Sequence, residues 1–127
     1  MEIKAFELLN LYESLNKLSE QELDLETSYT IAKYMKEIFV AKDLIDGKRN
    51  KIILKYAKKQ EDGNLKQTAD GNIEINGDDI GKFNSDMDGL LNSKISIPKI
   101  SLKKDSLSKI TIQPKYLLPL IGIILEE

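Results

Sequence analysis

Three features of the sequence predict an α+β fold that is mostly helical. The proline-free stretch 27–60 carries Ile31, Ile38, Ile45 and Ile52 at a spacing of seven, which keeps one apolar stripe on one side of a long helix. Two shorter segments, 3–18 and 80–91, place apolar residues near helical spacing. Between and after them lie short alternating runs broken by Asp70-Gly71 and Asn76-Gly77, the chemistry of hairpin turns. The expected architecture is one long helix with a shorter N-terminal helix, a small β-hairpin or short strands, and two further C-terminal helices. All of it belongs to one domain, since the chain has 127 residues.

The first helix is predicted over Ile3 to Leu18. Ile3, Phe6, Leu9 or Leu11, Leu15 and Leu18 line its apolar face, and Leu8 and Tyr12 widen it. Leu23-Asp24-Leu25 reads as a short strand or an anchored loop. Thr27 or Ser28 then offers a hydroxyl N-cap for the long helix. Tyr34 and Ala41 follow three residues after Ile31 and Ile38, and Met35 and Tyr56 follow four after Ile31 and Ile52. The seam is therefore expected to consist of Ile31, Met35, Ile38, Ile45, Ile52 and Tyr56. In the middle its flanks are Lys42, Lys48 and Arg49, whose stems can cover apolar surface. Gly47 costs about 1 kcal/mol in a helix interior against Ala, so it marks a bend or a close backbone approach. At 1.5 Å per residue the stretch 27–60 would be roughly 50 Å long. A domain of this size has a radius of gyration of about 14 Å. The helix is thus expected to overhang its domain, to break near Gly47, or to pack against a second copy.

Glu61-Asp62-Gly63-Asn64 ends this helix, with Gly63 in the left-handed position. The polar segment 61–79 is expected to project as a hairpin around Asp70-Gly71. Asp78 or Asp79 caps the next helix, whose apolar face is Ile80, Phe83, Met87, Leu90 and Leu91. Lys94 to Leu102 alternates as an edge strand with Pro98 shifting its phase, and 109–112 alternates briefly again. Pro114 suits the first turn of a last helix, and Tyr116 to Leu125 is apolar enough to be buried on most sides, with a bend at Pro119. No internal repeat or low-complexity segment is evident.

The bulk composition excludes many chemistries. The chain has no Cys, His or Trp, so disulfides, thiolate metal sites, His-based triads and zinc hydrolases are out. A net charge of −2 with 31% charged residues gives no overall pull toward nucleic acid or membrane. The start, Met-Glu-Ile-Lys, lacks the pattern of a signal peptide. The longest apolar run, 116–125, is about half of the roughly 20 residues that span a bilayer. A cytoplasmic setting is expected.

Two clusters invite a functional reading. Lys48, Arg49, Lys51, Lys55, Lys58 and Lys59 form a basic run without acids, and most share three-and-four spacing, hence one helical face. Such a face suits phosphates or an acidic protein, but no aromatic platform or Gly-Lys loop accompanies it. Asp70, Asn72 and Glu74 open like a calcium loop, yet Ile75 stands where glycine is required and Gly81 where glutamate is, so the signature fails. Turn formation and helix capping account for these acids and for Asp62, Asp78, Asp79, Asp86 and Asp88. Of the five tyrosines, Tyr12, Tyr29, Tyr34, Tyr56 and Tyr116, most lie at or near apolar helix faces and suit packing. No cofactor, metal or catalytic residue is indicated.

The order of elements also carries a resemblance. A leucine-rich helix, a long helix ending Lys55-Tyr56-Ala57-Lys58-Lys59-Gln60-Glu61-Asp62-Gly63-Asn64, the Asp70-Gly71-Asn72 turn and the Lys82-Phe83-Asn84 helix follow one another, before the extended stretch 95–102 and a Pro-containing apolar helix. Nearly the whole chain resembles a family of small bacteriophage and prophage proteins of bacteria. The resemblance implies a bacterial cytoplasm or a virion as the setting and brings no catalytic residues. It suggests a virion accessory component or an inhibitor of a host protein such as an anti-phage defence factor. The expectation is a non-enzymatic interaction protein with a protein partner or self-association. The alternative is a nucleic-acid-binding accessory protein that uses the basic face 48–59.

Overall fold

The computed structural model describes residues 1–126. In chain order they form strand β1 (Glu2–Lys4), helix α1 (Ala5–Ser19), helix α2 (Leu25–Tyr56), helix α3 (Ile80–Leu91), strand β2 (Lys94–Ser96) and helix α4 (Pro114–Leu117). Short 3₁₀ turns occupy Gly77–Asp79, Lys104–Leu107 and Leu118–Leu120. The fold is α+β and mostly helical, with a long helix, a shorter N-terminal one and a two-stranded antiparallel sheet. The chain divides into two compact units: residues 1–43 with 94–127, and residues 44–93. Helix α2 contributes to both.

In the first unit, β1 pairs antiparallel with β2 in the register Ile3 to Ile95. The predicted first helix thus starts two residues late, because Ile3 is taken by the sheet. The strand expected over 94–102 shortens to β2, and its partner is the N-terminus. Helix α1 begins where the Lys4 N–H donates to Glu7 Oε1 at 3.0 Å. It buries Ala5, Leu8, Leu11, Leu15 and Leu18, a stripe at three-and-four spacing. Leu11, not Leu9, is the core residue, and Phe6 is exposed. α1 packs against α4 and the turn that follows it.

Helix α2 starts at Leu25, so Leu23-Asp24-Leu25 is no strand. Its cap is Asp24 and not Thr27 or Ser28: the Asp24 carboxylate accepts the Thr27 N–H at 2.7 Å. That N–H, and then the Thr27 hydroxyl, hold the Asp24 carboxyl below the usual carboxylate range. The first half of α2 buries Ile31, Tyr34 and Ile38. The Tyr34 hydroxyl donates to the Pro98 carbonyl at 2.9 Å, and burial pushes its phenol up to about 12.

The apolar C-terminus does not form the helix expected over 116–125. α4 lasts one turn, a 3₁₀ turn at Leu118–Leu120 follows, and Ile121 is extended. Pro119 supplies no amide and Gly122 adopts φ +79, so the chain reverses. Leu120, Ile124 and Leu125 are buried, whereas Leu118 remains 70% exposed. The Leu102 N–H donates to the Ile124 carbonyl at 2.6 Å, fastening this end to the stretch before it. Residues 109–112 form no strand.

In the second unit, α2 continues as α-helix through Gly47, with open space around its missing Cβ. The close backbone approach expected there is absent, and the helix does not break. The helix stops at Tyr56, four residues before the predicted end, because Ala57 bridges Ile75. Beyond it the chain does not form one projecting hairpin but takes three strand-like steps, eight residues apart. The Lys66 N–H donates to the Lys58 carbonyl, Glu74 N–H to Lys66, and Lys58 N–H to Glu74, each at 2.8 Å, so the three residues close a backbone ring. Two equivalent turns separate the steps: Gly63 N–H to the Gln60 carbonyl and Gly71 N–H to the Thr68 carbonyl, both 3.0 Å. Gly63 and Gly71 have φ +85 and +87, a conformation that favours glycine. The aligned residues are Lys58 and Lys66, Asp62-Gly63-Asn64 and Asp70-Gly71-Asn72, and Leu65 and Ile73. This is an internal repeat where none was expected. Its third copy departs at Gly77, where the 3₁₀ turn leads into α3, and neither Asp78 nor Asp79 makes a side-chain capping bond.

Candidate interaction surface

Three of the four heptad isoleucines are already covered by the chain itself. Ile31, Ile38 and Ile45 are 1–2% exposed and Tyr56 is buried, while Met35 and Ile52 are half-buried. The seam expected to await a partner is therefore mostly core. A spacing of seven puts residues on one side of a helix and does not specify what covers that side. In the first unit the opposite side of α2 carries the exposed Tyr29 and Val40. An open groove of about 530 Å³ lies between the start of α1 and the C-terminal segment. Met1, Phe6, Leu118 and Ile121 line it, and all four are among the exposed large apolar residues.

The basic run divides between two structures. Lys48, Arg49, Lys51 and Lys55 lie on α2, but Lys58 and Lys59 follow its end and enter the ring, so they do not share the helical face. Lys58 and Lys66 both approach Glu74, at 3.8 and 3.7 Å. These are the equivalent positions of the three steps, so two ammonium groups flank one carboxylate. Lys55 approaches Asp86 at 3.8 Å. The Tyr56 hydroxyl donates to the same carboxylate at 2.6 Å and its ring meets Phe83 edge-on at 6.3 Å. The Asp86 hydrogen bond is the main cause that raises the Tyr56 phenol, and contact with Tyr56 is the first cause that raises the Lys55 ammonium. Among the described residues, Lys48, Arg49 and Lys51 form no ion pair, and Arg49 Nε is buried without an acceptor.

Helix α3 supplies the other half of this surface. Ile80, Phe83, Met87, Leu90 and Leu91 fall on one side of it, yet none of its residues is buried. Across residues 44–93 the buried side chains are Ile45, Tyr56 and Ala57. An open groove of about 410 Å³ runs between α2 and α3, lined by Lys51, Ile52 and Lys55 on one wall and Ser85, Asp86 and Gly89 on the other.

Sequence reasoning found the basic residues and the apolar face of α3. It missed Asp86 as the residue joining the two helices, because its partners lie 30 residues away in Tyr56 and one further in Lys55. The recurrence of Asp-Gly-Asn followed by Leu or Ile after eight residues was the available signal for the ring. Among the described residues there is no group of three or more acidic side chains that could hold a metal ion, and no helix long and apolar enough to cross a membrane. The chain matches no protein-family model, no curated protein and no solved structure.

Proposed function

We propose that this is a non-enzymatic protein-interaction protein, with the second unit as its contact surface. One observation carries the reading: α3 is strongly one-sided in its apolar residues and buries none of them. Apolar area gains about 25 cal/mol per Å² when it leaves water, so a helix whose apolar face stays half wet has unrealised binding free energy. Leu44 and Leu54 on α2 of the same unit are exposed as well. The resemblance to small phage and prophage proteins suggests the setting, a virion accessory component or an inhibitor of a host protein. The nucleic-acid alternative is less well supported. Of the six cations assigned to one basic face, Lys55 and Lys58 are paired with acids and Lys58 and Lys59 are off the helix.

The test is a photo-cross-linking residue at Met87, incorporated into the full chain and irradiated both in purified form and in a bacterial lysate. The expected result is a protein adduct at Met87 and none at the exposed Ser108. No adduct at Met87 in either setting would refute the reading.

A further inference from the structure

We infer that the free edge of β1 takes an extended peptide of a partner protein as a third strand, one with a lysine or arginine between apolar residues. This contact lies wholly in the first unit. It is separate from the one proposed for the second unit and does not rest on it.

The hydrogen bonds of the sheet fix which groups are open. The Ile97 N–H donates to the Met1 carbonyl at 2.9 Å, and the Met1 nitrogen donates to the Ile97 carbonyl at 3.2 Å. These two residues are therefore a hydrogen-bonded pair, and in an antiparallel ladder such pairs alternate with non-bonded ones. Ile3 and Ile95 form the next bonded pair, so the N–H and carbonyl of Glu2 turn away from β2. Among the described residues no strand or bridge pairs with β1 on that side. An unpaired edge is a template for another extended chain.

The groove of about 530 Å³ runs along the same edge. Met1, Glu2 and Ile3 line it and no residue of β2 does, so it opens beside β1 and not across the face of the sheet. Its other wall is 121–123, which begins with extended Ile121. A strand residue occupies roughly 160 Å³, taking together its rise, the spacing of strands and the spacing of sheets. The groove therefore holds about three such residues, the length of β1.

Side-chain chemistry selects the occupant. A residue opposite Glu2 points to the same face as the Glu2 carboxylate, and its two neighbours point to the face of Ile3. The charged residues of the groove are Glu2 and Glu7, and no cation lines it. Its apolar residues include Phe6, Leu118 and Ile121, all exposed. A cation flanked by apolar residues meets both. A second copy of β1 fits less well. Pairing Glu2 with its own counterpart sets two carboxylates opposite each other. Pairing it with Lys4 lacks a donor, because the Lys4 N–H already goes to Glu7 Oε1.

The test is an NMR titration of the nitrogen-labelled full chain at low salt. The probe is an acetylated and amidated peptide of about five residues, alternating valine and lysine with valine at both ends. The Glu2 amide is expected to shift downfield and to saturate with a dissociation constant of about 1 mM. Methylating the lysine amides of the peptide removes the donors to the Glu2 carbonyl and is expected to weaken binding at least about tenfold. Glutamate in place of lysine is expected to weaken it at least about threefold, and Glu2→Lys to reverse that preference. The reversal separates lost pairing from lost folding. No shift at Glu2 up to about 10 mM peptide overturns the proposal. So does equal binding of the methylated peptide, which would mean apolar docking without an added strand, or a charge preference that Glu2→Lys leaves unchanged. Shifts centred on Lys94 and Ser96 would place the strand on β2 and overturn it as well. A Glu2 shift that follows the concentration of the chain alone would assign the edge to a second copy and overturn the partner peptide.

Discussion

Replacing glycines one at a time tests the course of the chain through the second unit, because the same change is expected to have opposite signs at different positions. Gly47 is inside α2, and an added Cβ meets nothing within 4 Å. Gly47→Ala therefore adds no clash and removes the helix penalty of glycine, a gain of about 1 kcal/mol. For a chain of this size that raises the unfolding midpoint by about 3 to 5 °C. Gly63 and Gly71 also face open space, but at φ +85 and +87. There an L side chain crowds its own carbonyl, so Gly63→Ala and Gly71→Ala each lose about 1–2 kcal/mol with no packing contribution. Thermal and urea unfolding followed by circular dichroism measure the sum. Hydrogen exchange at the Lys58, Lys66 and Glu74 amides localises it. Those three amides form the ring, so a loss of about 1.4 kcal/mol there speeds their exchange about tenfold. If Gly47→Ala lowers the midpoint, α2 is not continuous at that residue. If Gly71→Ala leaves ring exchange unchanged, the eight-residue turn geometry is wrong.

Ser14 is buried in α1 with no hydrogen-bond partner for Oγ, so Ser14→Ala is expected to stabilise the chain by about 1 kcal/mol, combining a relieved unsatisfied hydroxyl with better helix propensity. A lower midpoint in urea would mean that the hydroxyl has a partner. Tyr34→Phe removes the donor to the Pro98 carbonyl and is expected to cost about 1–3 kcal/mol in the same assay, and an unchanged midpoint would contradict that bond. The Tyr34 phenol stands at about 12 when folded against 10.0 as its ordinary value. Between those values the folded chain holds a proton that the unfolded chain has released, so this contribution to stability is complete below pH 10 and is lost as pH rises toward 12. Alkaline unfolding of wild type should show that loss, and Tyr34→Phe should lack it.

Much of the secondary structure was legible before folding. Apolar spacing located α1, α2 and α3 to within a few residues, since burial of one side imposes a period that survives in the residue order. The boundaries were lost where a distant partner decides them. Ile3 left the helix for β1 because Ile95 pairs with it. Lys58 left α2 because its amide proton goes to the Glu74 carbonyl. The C-terminal helix stopped early because Pro119 and Gly122 act together, which apolarity alone does not reveal.

The same division holds for the candidate surface. Residue order by itself determined that α2 has one apolar side, that α3 has another, and that bases gather on the first and acids on the second. These are local properties, written in spacing and charge. Only the tertiary structure decided which apolar side is used up: Ile31, Ile38 and Ile45 are enclosed, while Ile80, Phe83 and Met87 are not. A sequence records that a face avoids water, and the packing of chain segments far apart in number settles whether that face has already found cover.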